Sequence, residues 1–599
     1  MCGIVGYIGK REIKSFLIEG LKELEYRGYD SAGIAIIENE SMHVFKAVGK
    51  IKNLEEKAKD FKTKEFGIGI GHTRWATHGK PTELNAHPHL GEFSYVVHNG
   101  IIENYKELKK ELENKGYKFI SQTDTETIVH LFEENFKHKK DPFKAFKDTI
   151  SKLKGAYAIL LISKASPNTI FFAKNGSPLI IGKNSKNEIF FASSDAPLIG
   201  YADEVSYLDD GVFGYADKEK IKAFKDSQEI NLEFKPLTME KEFAQKGGFR
   251  FFMEKEIYEQ SRVVSETIMG RAIDGKIVFE ELEKNFFEGI ENIKICACGT
   301  SYHAGLSSSY LFERISKIPT SVEIASEFRY KKPLLNKNTL FIVISQSGET
   351  ADTLEALKMA KNAGLKTLAI CNVDNSSIVR IADKTILTRA GIEKGVASTK
   401  AFATQMMVLW MLSLYLAQIK GFDISKEIDV LLKVPKVLIV ENSLHEKIKR
   451  LSKRYLHGHG FFYIGRDIFY PLALEGALKL KEISYLHAEG YPAGEMKHGP
   501  IALADPELFT IALMPKNLLY DKIKSNVEEL SARDSTILAI SPIEFEIADD
   551  FIKIKEQNHY MLEYFEMMLI IQLLAMEIAI RLGNDVDMPR NLAKSVTVE

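Results

Sequence analysis

From Cys2 to Gly9 the chain alternates small and apolar residues, Cys2-Gly3-Ile4-Val5-Gly6-Tyr7-Ile8-Gly9. That pattern predicts a buried strand that neighbouring backbone approaches closely. Beyond residue 240 the pattern changes: short apolar runs alternate with long helical stretches, as a doubly wound parallel sheet requires. Lys241 to Gly248, charged and ending in Gly-Gly, is expected to be the linker. A run over Ile293–Cys298, then Gly299-Thr300-Ser301, predicts a strand and turn before a helix over Tyr302–Ile315. The unit recurs roughly 170 residues later, as Phe461-Phe462-Tyr463-Ile464, Gly465-Arg466-Asp467 and a helix over Pro471–Leu486. Each copy reads as strand, glycine turn and a helix opened by polar residues. Phe341-Ile342-Val343-Ile344 predicts a further strand, with another helix behind it. Met406–Ala417 is too short to span a membrane, and Met561–Ile580 is interrupted by Glu563, Glu566 and Glu577. Both are expected to be core helices.

Composition narrows the class. A chain of 599 residues should hold three or four domains, and 80 basic against 82 acidic residues leave a net charge of −2. No basic block is interleaved with aromatics, which argues against nucleic acid. Four cysteines in this length make no disulfide framework. Cys296 and Cys298, two apart in a strand-like run, are expected to pack on one face. With no signal peptide ahead of Cys2, the expected location is the cytoplasm.

Cys2 carries the first candidate chemistry. Removal of Met1 would put a thiol and a free α-amine on one residue, nucleophile and base together. An unperturbed α-amine has a pKa of about 7.7–8.0, so it can take the thiol proton near neutral pH. Asn99 and Gly100 could donate to an oxyanion, although an Asn-Gly pair is equally a turn signal. His72, His78, His87 and His89 raise the question of a metal; Arg74 among them would repel a cation, so no metal is expected. The blocks Arg27-Gly28-Tyr29-Asp30-Ser31-Ala32-Gly33, His72-Thr73-Arg74-Trp75-Ala76-Thr77-His78-Gly79, His98-Asn99-Gly100 and Thr123-Asp124 stand in this order. Together they resemble the class II glutamine amidotransferase (N-terminal-nucleophile glutaminase) domain over residues 2–240. The resemblance implies a four-layer α+β fold. It also implies Arg74 for the glutamine carboxylate, Asp124 for its ammonium, and Thr77 and His78 in the same pocket.

Behind Phe341–Ile344 the segment Ser345-Gln346-Ser347-Gly348-Glu349-Thr350 crowds hydroxyls, an amide and a glycine at a helix start. Free N–H groups and the helix dipole favour a phosphate there, with Thr300 and Ser301 within reach. Simple capping is the alternative. No Gly-Lys-Ser/Thr follows, which argues against a nucleoside triphosphate. With Gly395-Val396-Ala397-Ser398-Thr399-Lys400, this block resembles a sugar isomerase (SIS) domain, a phosphosugar-binding α/β fold with a doubly wound, mainly parallel sheet. In the second copy Glu475, Lys479 and Glu482 share a helix face with Leu472 and Leu486. They are either an ion-paired solvated face or groups poised for proton transfer. Glu495-Met496-Lys497-His498-Gly499-Pro500 adds an imidazole, and the tail offers the Lys594 amine.

From Cys2 to Glu599 the chain resembles the bacterial form of the glutamine–fructose-6-phosphate aminotransferase (isomerising) family. The resemblance implies a glutaminase domain over 2–240, a linker over 241–248 and SIS domains over 249–440 and 441–589. A tail over 590–599 would close the sugar site. It implies Cys2 as nucleophile, Trp75 gating an ammonia passage, His498 in ring opening and Lys594 in a Schiff base. Glu482 would move the C1–C2 proton and Lys479 would stabilise negative charge. Thr300, Ser301, Ser345, Gln346, Ser347 and Thr350 would hold the phosphate end, and Val396, Ser398 and Ala593 would line the sugar. The implied partners are glutamine, fructose 6-phosphate and a second copy of the chain through the SIS domains, without cofactor, metal or membrane. A phosphoribosyl amidotransferase should carry an acidic pyrophosphate loop, and none is found. A phosphosugar-sensing DNA-binding protein would have no use for Cys2, Arg74 and Asp124.

Overall fold

The computed structural model describes residues 2–25, 28–63, 66–75, 79–237 and 246–597. It forms two compact units: Met1–Gln245 together with Ala593–Glu599, and Lys246–Leu592. The linker expected at 241–248 falls largely outside the described residues, as do Met1, Arg27, Thr77, His78, Val598 and Glu599.

The first unit is built on two antiparallel sheets. The strand β1 (Gly3–Gly9) is buried along its whole length, as its apolar pattern predicts. It lies inside an eight-stranded sheet, between Ile189–Ala192 and β2 (Gly67–Arg74). The second sheet has seven strands, among them β3 (Ser94–Ile102), paired with Gly155–Ser163. Ile4, Ile8, Ile68 and Ile70 from the first sheet meet Val97, Leu160, Ile162 and Phe172 from the second in one core. Outside them, α1 (Ile13–Leu24) covers the first sheet with Phe16, Leu17 and Leu21, and α2 (Glu126–Lys139) covers the second with Ile128, Val129 and Phe132. This is the four-layer α+β arrangement implied by the resemblance.

The second unit contains the duplication. One five-stranded sheet runs in the order 320–324, β4 (Asn292–Ala297), β5 (Thr339–Ser345), 366–371, 384–387. The other runs 488–492, β6 (Gly460–Gly465), β7 (Leu508–Leu513), 536–541, 550–553. Every neighbouring pair is parallel, and the two orders are the same. Cys296 and Cys298 pack into one small apolar cluster, as their spacing predicts.

Helix boundaries depart from expectation in instructive ways. The helix after β4 is α3 (Gly299–Leu311): Thr300 and Ser301 open it, as expected, but it starts at Gly299, ahead of Tyr302, and ends before Ile315. In the second copy the helix is α6 (Phe469–Ser484), opened by Ile468 and Phe469 where polar residues were expected. Tyr485 ends it in the left-handed conformation, so Leu486 lies beyond the helix. The helix α4 (Ala351–Asn362) follows the Ser345–Thr350 segment. The run at Met406–Ala417 belongs to a longer helix, α5 (Lys400–Ile419). At 20 residues it is long and apolar enough to cross a membrane, but 89% of its apolar window is buried inside the protein. With α7 (Tyr560–Arg581) it forms the centre of a core shared by both copies, in which Trp410, Phe402, Leu480, Phe565 and Ile571 lie together.

Candidate functional site

In the first unit, β1 and β2 run antiparallel with Gly3 opposite Thr73, so Cys2 emerges beside the end of β2. Its thiol lies between two backbone groups of Trp75: it accepts from Trp75 N at 3.3 Å and faces Trp75 O at 3.6 Å. Burial pushes the thiol above its ordinary pKa, and the backbone donor and the Arg74 charge pull the other way. Asn99 Nδ2 donates to Cys2 O at 3.0 Å, which puts that amide donor beside the nucleophile. Asn99 and Gly100 lie inside β3, not in a turn, which removes the turn alternative. Gly100 has φ +132°, and a Cβ there would sit 1.9 Å from Ala156 O. Only glycine fits.

Arg74 and Asp124 are both buried. Arg74 Nη2 donates to Gly79 O at 3.2 Å, and Asp124 Oδ2 accepts from Ile102 N at 2.7 Å. Behind them stands a group of buried imidazoles. His72 Nε2 lies 3.0 Å from His98 O, His87 Nε2 lies 3.0 Å from Thr125 Oγ1, and His89 Nε2 lies 2.9 Å from Thr123 Oγ1. Burial lowers the pKa of His72 to about 3 and holds His87 and His89 well below the usual imidazole value. These rings are neutral scaffolding for the strand ends, hydrogen-bonded to protein oxygens.

In the second unit the phosphate-binding candidates converge at the end of β5. Ser345 Oγ accepts from Gly348 N at 2.9 Å and lies 3.4 Å from Thr350 Oγ1, while Ser347 Oγ accepts from Glu349 N at 3.2 Å. Thr350 is the N-cap of α4 but makes no side-chain capping bond, so plain capping does not account for it. Gly348 turns the chain with φ +67°, and a Cβ there would meet Ser376 Oγ at 1.9 Å. From the first turn of α3, Ser301 Oγ accepts from Gln405 Nε2 of α5 at 3.1 Å. Ahead of α5, Val396 N donates to Asp587 O at 3.1 Å and Ser398 Oγ donates to Glu393 Oε2 at 3.0 Å. Glu393 also accepts from Thr399 N and Ala401 N, a support the motif did not announce.

On α6, Glu475 and Lys479 are wholly buried, which rules out the solvated-face alternative. Lys479 Nζ lies 2.6 Å from Glu482 Oε2 and 3.4 Å from Glu475 Oε1. Burial alone would lower its pKa, but Glu482 and Glu475 outweigh burial and hold it at about 12. A cation thus stands beside a carboxylate in a dry setting, where charge developing on a substrate is stabilised most. Thr300 Oγ1 accepts from Lys479 Nζ at 3.1 Å and donates to Glu475 Oε1 at 3.0 Å, joining the two copies. His303, which sequence patterning passed over, lies 2.8 Å from Glu475 through Nδ1. His498 is exposed at the end of a 3-10 helix over Ala493–His498 and has no hydrogen-bond or ion-pair partner among the described residues. Arg590 N donates to Tyr485 Oη at 2.7 Å, whereas Ala593 and Lys594 group with the first unit.

Comparisons with known proteins agree with this division. The glutamine amidotransferase domain family matches residues 80–199, and the SIS domain family matches residues 287–415 and 459–575. The chain is 64% identical to the glutamine–fructose-6-phosphate aminotransferase [isomerizing] of Campylobacter jejuni over 599 residues, covering all of both chains. It is 58% identical to the enzyme of that name from Helicobacter pylori and 44% identical to that of Escherichia coli, again over the full length of both. The solved C-terminal domain of glucosamine-fructose-6-phosphate aminotransferase from Francisella tularensis is 41% identical, with a TM-score of 0.56. It covers 58% of this chain and 99% of that one.

Proposed function

The chain belongs to the glutamine–fructose-6-phosphate aminotransferase (isomerising) family, and we propose that it makes glucosamine 6-phosphate and glutamate from fructose 6-phosphate and glutamine. The observation that carries this reading is the pairing of two chemistries on one chain. A strand-end thiol stands beside an amide donor, and a buried Lys–Glu pair is joined to the copy that bears the hydroxyl-rich loop.

In this reading Met1 is removed and the α-amine of Cys2 takes the thiol proton. The sulfur adds to the glutamine amide carbon, and Asn99 and Gly100 stabilise the oxyanion; the adduct then collapses, the α-ammonium returns its proton to the leaving nitrogen, and ammonia departs to give a γ-glutamyl thioester. Water then hydrolyses the thioester to glutamate. Arg74 holds the substrate carboxylate and Asp124 its ammonium, with Thr77 and His78 in the same pocket. Ammonia passes to the sugar by an internal route gated by Trp75, because in bulk water it would be protonated and lose its nucleophilicity. Ser301, Ser345, Gln346, Ser347 and Thr350 hold the phosphate, with Thr300 beside them, and Val396, Ser398 and Ala593 line the sugar. His498 assists ring opening, and Lys594 forms a Schiff base with the C2 carbonyl, from which ammonia displaces it. Glu482 carries the proton between C2 and C1 while Lys479 stabilises the enediol-like charge. The chain acts in the cytoplasm as a homodimer through the SIS domains, and the exposure of His498 suits a residue offered to a second subunit.

Cys2→Ala tests this division of labour. Hydrolysis of glutamine is expected to fall below detection while isomerisation of fructose 6-phosphate stays measurable. Equal loss of both activities would show that one site does not serve nitrogen and the other sugar.

A further inference from the structure

The helices α3 and α6 occupy corresponding places in the two copies, and between them five polar side chains form one chain of contacts. His303 Nδ1 donates to Glu475 Oε2 at 2.8 Å, since an ionised carboxylate can only accept. Thr300 Oγ1 donates to Glu475 Oε1 at 3.0 Å, and Lys479 Nζ donates to Thr300 Oγ1 at 3.1 Å. Lys479 in turn sits 2.6 Å from Glu482 Oε2, an oxygen with no other partner. Glu475 and Lys479 have no exposure, whereas the His303 side chain keeps 12%. A carboxylate cut off from water persists only when donors meet its lone pairs, and His303 supplies one of the three near Glu475.

Groups on other elements also face this chain of contacts. Glu393 acts on Lys479 from the segment before α5, Tyr564 of α7 faces Glu475 with its hydroxyl on Ser307, and the Tyr302 ring lies 6.0 Å from His303. We propose that His303 is a positioning residue for the sugar chemistry: through Glu475 it fixes Lys479 against Glu482. The inference rests on the role given to Glu482 above.

Purified full-length protein, assayed with glutamine and fructose 6-phosphate, tests it. His303→Ala is expected to lower kcat for amino-sugar formation about tenfold, with KM for fructose 6-phosphate within about twofold and glutamine hydrolysis unchanged. His303→Gln can still donate to Glu475 and is expected to regain most of that rate. A raised KM with kcat unchanged overturns the proposal, and so does a His303→Gln variant as slow as His303→Ala. A second measurement is independent of turnover. Nitrogen-15 spectra of histidine-labelled protein should show His303 protonated at Nδ1 and hydrogen-bonded, a pattern lost in Glu475→Gln. A bare Nδ1 in the wild type overturns the coupling. Absence of amino sugar from the wild type would sink the enzymatic reading instead, and the spectra would still decide the contact.

Discussion

At the end of β5, the first SIS copy turns through Ser345, Ser347 and Gly348 into α4, and Thr350 makes no side-chain capping bond. At the end of β7, the second copy turns through Met514-Pro515-Lys516-Asn517. There the backbone donors are already taken: Lys516 N and Asn517 N each donate to the Glu563 carboxylate of α7 at 3.1 Å, and Asn517 Nδ2 adds a third bond at 2.9 Å. An internal carboxylate thus occupies the place where the first copy presents hydroxyls. The helices after the first strands differ in the opposite sense: α3 opens with Thr300 and Ser301, while α6 opens with apolar residues and buries Glu475 and Lys479 two turns in. Under the proposed function, one strand order serves anion holding in the first copy and proton transfer in the second, and Thr300 is where the two copies meet.

Breaking the second copy's contribution should cost the most. Glu482→Gln is expected to lower kcat for isomerisation about 10³-fold with KM for fructose 6-phosphate nearly unchanged, because proton transfer fails while binding persists. A variant keeping more than about a tenth of the rate would move the base elsewhere. The first copy should fail in the other parameter. Ser347→Ala combined with Thr350→Ala removes two hydrogen bonds to a charged group, each about 1.5 kcal/mol, and should raise KM about 100-fold with kcat within about threefold. An effect confined to kcat would end the distinction between a binding copy and a reacting copy. The smallest effect is expected at Glu563. Glu563→Gln leaves one backbone donor unmet and should reduce stability by about 1–2 kcal/mol without changing sugar affinity, as read by denaturant melts.

Burial raises the Glu563 carboxyl above its ordinary pKa, against the backbone donors that lower it. The folded chain therefore takes up this proton before the unfolded chain does. Stability from Glu563 is least at neutral pH and grows as pH falls through the raised value. Glutamine does not titrate, so the gap between wild type and Glu563→Gln should widen as pH falls from neutral. A gap that narrows would mean that the carboxylate, not the acid, is the form the fold prefers.

Much of this was legible along the chain because it is local. The alternation after Cys2 marked a wholly buried strand, and the strand–glycine–helix unit marked the duplication. Boundaries slipped where a local signal had two meanings: Gly299 looks like a turn but already belongs to the first turn of a helix, since a glycine suits both. The apolar run at Met406–Ala417 understated α5 because Lys400 and Gln405 are buried through partners elsewhere, Glu259 and Ser301. His303 with Glu475, and Glu563 with Lys516, could not be seen at all. Those partners lie 172 and 47 residues apart, and only the packing of one copy's helices on the rest of the unit brings them together.

The backbone at Gly348 sets a boundary on how this protein can change. Any other residue would need both a left-handed conformation and the space Ser376 Oγ already fills. A lineage is thus barred from retuning this loop by a single substitution there. Change in this loop must instead come through the hydroxyls on either side of a vertebra that cannot be exchanged.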